Sequence, residues 1–217
     1  MAAFGGESGQ HYLEPDKTEL EIISYLNDNF DDVIILVNCN NAIELGWVEN
    51  YKNISAVVNF PGAGRNGTWG LGYMLTGIDA DGKEFSPSGR LVDTWVYDNF
   101  SSPAMQNMGD FVFTGTNYYY VNYSEGIYVG YKYYETRYED AVMGKGNATS
   151  TAGAVNSKTN WVYSEEVAFP FGYGAAYTEF QYSDYKLELG EDGNYNATVT
   201  VTNIGNVNGK DAVQIYV

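Results

Sequence analysis

The chain has 217 residues, 44% of them hydrophobic, enough for a real core in one large domain or in one domain with part of a second. Its net charge of −17 repels nucleic acid and anionic membrane surfaces, so neither is expected as a partner, whereas neutral ligands such as sugars stay open. A single cysteine, Cys39, and a single histidine, His11, exclude a thiol metal site, a histidine metal cluster and an internal disulfide; no metal and no cofactor is expected.

No apolar run approaches the roughly 18–20 residues that span a bilayer, so no membrane partner is expected and the chain reads as soluble. In chain order, Gly5-Gly6-Glu7-Ser8-Gly9 sets one carboxylate between glycines, outside any strand or helix pattern. Two readings are open: a solvated terminus, or a catalytic acid on a loop whose glycines let the backbone approach a ligand. Pro15 to Phe30 predicts a helix started by Asp16, with Leu20, Ile23, Tyr25, Leu26 and Phe30 as its apolar positions. Val33 to Val37 is apolar at every position, which predicts a strand buried on both faces, and Cys39 continues that run as a small buried side chain.

Ala42 to Glu49 predicts a short helix, Ile54 to Phe60 a second buried strand, Asn66 to Leu75 a helix stopped by Gly77, and Gly89 to Trp95 a third extended piece. This alternation over residues 16–95 predicts an α/β sheet layered with helices. Nine of the 21 tyrosines then fall between Tyr118 and Tyr138, a density suited to a sugar platform or a half-exposed sheet face. The alternation over Gly126 to Tyr134 favours the sheet face. Residues 145–160 read as a patternless surface loop. From Phe180 the pattern is all-β: Phe180 to Leu189, a turn at Gly190 to Gly193, Tyr195 to Asn203, a turn at Asn206 to Gly209, and Ala212 to Val217. Three strands open an immunoglobulin-like sandwich, which needs about seven to close, so this second domain is expected to be truncated.

Taken together and in order, several segments resemble the family-3 glycoside hydrolases, the β-glucosidase and β-xylosidase group. Gly5-Gly-Glu-Ser-Gly9 is similar to that family's Gly-Glu-Gly acid/base loop, and Pro15 to Leu20 with Val33 to Asn38 to the helix and strand after it. Glu44-Leu-Gly-Trp-Val48, Asn59-Phe-Pro-Gly-Ala-Gly64 and Ser86-Pro-Ser-Gly-Arg-Leu91 resemble successive later segments, as do Glu125 to Tyr131 and Phe169 to Gly174. Val199 to Asn203 with Gly209 to Val217 resembles the fibronectin type III-like module that follows.

The resemblance implies a partial three-layer α/β sandwich with a mostly parallel sheet over residues 1–174, then a truncated all-β, fibronectin III-like segment over 175–217. In that family a (β/α)8 barrel supplies an Asp nucleophile, and the sandwich lends the acid/base Glu from a loop over the barrel mouth. Glu7 is the residue that matches this role. Ser8 departs from the usual glycine after the Glu, and Gln10-His11 stands where an acidic residue is often found, which keeps open a neighbouring acid such as Glu14, or a vestigial loop, as the alternatives. No eight-fold βα repeat occurs in the chain, so the nucleophile is expected in a missing (β/α)8 barrel.

The implied function is that of a fragment of a retaining, exo-acting β-glycosidase acting on an oligosaccharide or β-glucoside substrate, inactive by itself. Substrate-binding residues are not assigned. Two other classes stay open: a carbohydrate-binding module using Trp69, Trp161 and Tyr118 to Tyr120, and a scaffold whose uncovered apolar face drives self-association.

Overall fold

The computed structural model describes residues 13–102, 104, 112–120, 123, 125–144 and 161–216. Glu7, His11 and the loop at 145–160 lie outside the described residues. The helices are α1 (Lys17–Asn29), α2 (Gly67–Thr76), α3 (Tyr131–Ala141) and α4 (Tyr163–Glu166). The strands are β1 (Val33–Val37), β2 (Ile54–Asn59), β3 (Trp95–Val96), β4 (Val167–Phe169), β5 (Phe180–Leu189) and β6 (Tyr195–Asn203). β1 and β2 pair in parallel, whereas β3 with β4 and β5 with β6 pair antiparallel. Two compact units result: the described residues of Met1–Gly62 with Leu91–Phe171, and of Ala63–Arg90 with Gly172–Val217.

In the first unit, Asp16 starts α1 through a capping box: its carboxylate accepts the Glu19 N–H at 2.8 Å, and the Glu19 carboxylate accepts the Asp16 N–H at 2.8 Å. Two of the four donors that every helix start leaves unpaired are thereby satisfied. At the other end Asn53 donates its amide to the carbonyls of Asn27 at 2.7 Å and Phe30 at 2.9 Å, which ties the end of α1 to the start of β2. β1 and β2 then run side by side, Ile35 opposite Val57 and Val37 opposite Asn59.

The expectation of strands buried on both faces is corrected. Val33 and Val37 are buried, but Ile34 is 48% exposed and Leu36 46%, because among the described residues only one face of this pair is covered. The segment expected as a short helix at Ala42 to Glu49 forms a 3-10 turn at Gly46–Asn50. The third extended piece narrows to β3, which turns antiparallel onto β4. Val37, Leu45 and Trp95 form one core cluster, with Ile35, Trp47 and Val57 packed against it.

The strand predicted over Gly126 to Tyr134 is also corrected. Gly130 caps α3, and the tyrosines meet at helical spacing. Tyr133 and Tyr134 are buried with Val96, Trp161 and Val167, the Tyr138 ring meets Tyr163 edge-on at 5.0 Å, and the Arg137 guanidinium lies 5.4 Å from the centre of the Trp161 ring. A two-residue alternation would have placed Tyr133 and Tyr134 on opposite faces, whereas a helix turns both into the same core.

Tyr134, 3% exposed, bonds Ser101 through its hydroxyl at 3.1 Å. Burial pushes its phenol up to about 12, against a smaller opposing effect of its bonds with Ser101 and Ser102. The unfolded chain therefore loses that proton near pH 10 while the folded chain keeps it to about 12. Stability should fall by about 1.4 kcal/mol per pH unit across that window. Urea unfolding at pH 9 to 12 measures this, and Tyr134→Phe should flatten the decline; an equal slope in the variant would assign the titration elsewhere.

In the second unit, α2 ends as expected at Gly77, whose φ of 70° suits a residue without a Cβ and whose N–H returns to the Tyr73 carbonyl at 2.8 Å. The Tyr177 hydroxyl donates to the Met74 carbonyl at 2.6 Å, and the Tyr177 N–H to the Ser86 hydroxyl at 2.9 Å. β5 and β6 form the predicted hairpin around Gly190 to Gly193, where the Asp192 carboxylate accepts both the Asn194 N–H and its side-chain amide. The register shifts between Ser183 and Lys186, where Asp184 takes a φ of 54°. Such a bulge tolerates an aspartate because its short polar side chain bonds locally, here to the Ser183 hydroxyl at 2.9 Å. The third strand, expected from Ala212, does not form: residues 212–216 have no ladder partner.

Candidate active site

The chain after Glu7 is described from Leu13 onward. The Leu13 carbonyl accepts the Glu44 N–H at 2.9 Å, which ties Leu13 to the segment after β1. Glu7 precedes Leu13 by six residues, a contour of roughly 20 Å.

A cleft of about 420 Å³ beside it is lined by Glu14, Glu44, Gly46, Trp47, Asn50 and Tyr97, with Pro15 and Leu20. Its walls are fixed by hydrogen bonds. Glu44 Oε1 accepts the Asn99 N–H at 2.6 Å, and the Glu44 carbonyl accepts the Trp47 indole N–H at 2.7 Å. The Tyr97 hydroxyl donates to Glu49 Oε1 at 2.6 Å. The Tyr97 ring rests on the Gly46 backbone so closely that a Cβ there would collide with the ring edge, which is why the position needs glycine. The bond to Glu49, followed by burial and the Glu49 charge, raises the Tyr97 phenol above its ordinary value, so it remains a neutral donor.

Glu14, the alternative acid, is thus a lining residue of this cleft. Glu44 and Trp47 carried no assigned role in the sequence. The legible signal was the glycine between Leu45 and Trp47, a mark of close backbone approach, but nothing local pairs it with Tyr97. Of the aromatic candidates for a sugar platform, Trp161 is 7% exposed and belongs to the core, as its packing against Tyr163 and Arg137 shows. Trp69, Tyr118 and Tyr119 are exposed.

The second unit holds a charged cluster. Arg90 donates from Nε at 2.9 Å and Nη2 at 2.6 Å to Asp211 Oδ1, while the Tyr182 hydroxyl donates to Asp211 Oδ2 at 2.7 Å. An open cleft of about 600 Å³ adjoins it, bordered by Tyr173, Tyr185 and Gln214. Among the described residues no group of three metal-ligating side chains comes together, and no helix is long and apolar enough to cross a membrane.

No protein-family model matches the chain. β-Glucosidase A of Butyrivibrio fibrisolvens is 30% identical over 224 residues, spanning 97% of this chain and 22% of that protein. This chain is homologous to part of the family-3 β-glucosidases. It spans about a fifth of the length of those relatives. A Paenibacillus barengoltzii β-glucosidase structure superposes with a TM-score of 0.62 and 28% identity over 88% of this chain and 17% of that one. The Thermotoga neapolitana β-glucosidase 3B, solved with α-D-glucose, superposes with a TM-score of 0.62 and 25% identity over 89% of this chain and 22% of that one.

Proposed function

We propose that this chain contributes the proton-delivering part of a retaining, exo-acting β-glycosidase that hydrolyses terminal β-linked sugars, with the Asp nucleophile on a (β/α)8 barrel in a longer polypeptide. The observation that carries the proposal is similarity to β-glucosidases along 97% of the chain when the chain spans 22% of the relative. Residues 1–174 are assigned to the α/β sandwich and 175–217 to the start of a fibronectin III-like module. The exposed Ile34 and Leu36 on β1 support a further layer over that face, as a three-layer sandwich requires.

In such an enzyme the Asp carboxylate attacks the anomeric carbon and forms a glycosyl ester, while Glu7 gives its proton to the departing oxygen. Glu7, now a carboxylate, takes a proton from water; the hydroxide attacks the same carbon, the ester bond breaks, and the nucleophile is restored. The net reaction adds one water across the glycosidic bond. Retention needs the two carboxyl groups about 5–5.5 Å apart, so the acid loop must reach over a separately folded nucleophile. Glycines on both sides of Glu7 suit a loop of that kind.

The 217-residue chain by itself should not turn over an aryl β-glucoside above the buffer rate. Release of the aryl alcohol, followed by absorbance, measures this. Turnover that stays with the purified chain through chromatography would show that both carboxylates lie within it and would overturn the proposal.

A further inference from the structure

We infer that Asn208 is a site of spontaneous covalent modification: its side-chain amide is converted, through a cyclic imide formed with Gly209, to aspartate and isoaspartate. This holds whatever reaction the longer polypeptide performs.

The conversion needs no enzyme. Base removes the proton from the backbone N–H of the residue after an asparagine, and that nitrogen attacks the side-chain carbonyl carbon. A new C–N bond closes a five-membered ring, the bond to the side-chain nitrogen breaks, and ammonia leaves with a proton taken from water. Water then opens the ring at either of its two carbonyls. One opening gives aspartate; the other gives isoaspartate, whose main chain runs through the former side chain. The net change turns an amide and a water into a carboxyl group and an ammonia, with no oxidation or reduction. Glycine after the asparagine makes ring closure easiest, because no Cβ hinders the approach and the backbone rotates freely.

The sequence has two such pairs, Asn66-Gly67 and Asn208-Gly209. Both asparagines are exposed, so access to water does not separate them. Hydrogen bonding does. Asn66 starts α2: Gly67 donates its N–H to the Ala63 carbonyl at 2.9 Å, and the Asn66 carbonyl accepts the Trp69 N–H at 3.2 Å. The attacking nitrogen is thereby engaged, and the peptide plane that must rotate is fixed by the first turn of the helix. Asn208 lies outside the helices and strands, and among the described residues the Gly209 N–H has no acceptor. Its nitrogen loses a proton and turns toward the side chain without first breaking a bond.

The chain is held on both sides of this point. Asn203 donates its side-chain amide to the Val207 carbonyl at 2.8 Å, and Asp211 is held by Arg90. Gly209 packs so closely that a Cβ on it would stand 2.9 Å from Thr178 Cγ2 and 3.1 Å from Phe180 Cζ. Isoaspartate adds one methylene to the main chain between these anchors, where Gly209 has no room to take it up. Aspartate leaves the main-chain length unchanged.

The test is peptide mapping of the purified 217-residue chain by mass spectrometry after ageing in mildly alkaline buffer, both folded and in urea. Conversion raises the mass of the peptide by one unit, and an isoaspartyl carboxyl methyltransferase labels the isoaspartyl product. In urea, where the bonds around Gly67 are gone, the two sites should convert at similar rates. In the folded protein Asn208 should convert about tenfold or more faster than Asn66, the factor that one or two intact hydrogen bonds supply. Asn208→Gln should remove the label from the peptide that contains it. Equal folded-state rates at the two sites, faster conversion of Asn66, no conversion of Asn208, or label that persists in Asn208→Gln would each overturn the assignment. The isoaspartyl fraction, separated by chromatography, should unfold at a lower urea concentration than Asn208→Asp, which carries the same charge on a main chain of ordinary length. Equal midpoints would show that the loop absorbs the methylene and would overturn the structural consequence drawn from Gly209.

Discussion

Replacing Glu7 by alanine in the longer enzyme should lower hydrolysis of cellobiose by about 10²–10⁴-fold, the usual share of general acid–base catalysis. The loss should depend on the leaving group. A dinitrophenolate departs without a proton, so the first step of that glucoside survives and the glycosyl ester accumulates, because no base remains to activate water. Azide needs no deprotonation to attack the ester. It should restore turnover of the dinitrophenyl substrate and release a β-glycosyl azide, with retained configuration. Cellobiose, whose leaving alkoxide does need a proton, should gain little. Unchanged cellobiose turnover would move the role to another carboxylate, with Glu14 the first to try; loss without any azide rescue would point to misfolding of the loop.

The second large effect is expected at Asp211. Asp211→Ala should destabilise the unit that contains it by roughly 3–5 kcal/mol, because Arg90, whose side chain is only 12% exposed, would keep its charge and lose both bonds to that carboxylate. Tyr182 would lose its acceptor as well. Urea unfolding followed by hairpin fluorescence or circular dichroism measures the shift, and a change below about 1 kcal/mol would show the pair to be a solvated ion pair instead.

The same pair sets a pH dependence. Burial acts to raise the Asp211 carboxyl, but the bonds from Tyr182, Arg90 and the Ala212 N–H, together with the Arg90 charge, outweigh it and hold the group below its ordinary value of 3.8. A depressed carboxyl stabilises fully above the unfolded value and loses that contribution as pH falls through the folded one. Acid sensitivity of the wild type below pH 3.8 should therefore shrink in Asp211→Ala.

The resemblance to family-3 glycosidases was legible before any coordinates because it rests on short ordered motifs, and similarity along nearly the whole chain to β-glucosidases agrees with it. The candidate site was less so. Glu7 and Glu14 stand out as local features of the chain, yet Glu44, Trp47 and Tyr97 become lining residues of one cleft only when the turn after β1 meets the segment after β3. Arg90 was visible within its Pro-Ser-Gly-Arg-Leu motif, but its partner lies 121 residues further on.

What the sequence determined alone are the features decided within a few residues. The start of α1 at Asp16, the stop of α2 at Gly77 and the turn between β5 and β6 are each decided by one side chain or one backbone angle, and each formed where expected. What tertiary structure decided depends on distant partners. Tyr131 to Tyr138 took helical spacing because Trp161 and Val167 offered one core to bury two adjacent tyrosines; Ile34 and Leu36 stayed exposed because no described element covers them; residues 212–216 formed no strand because no ladder reached them. Local geometry is selected by nearest-neighbour sterics and caps, whereas burial and strand pairing are properties of whatever the folded chain brings alongside.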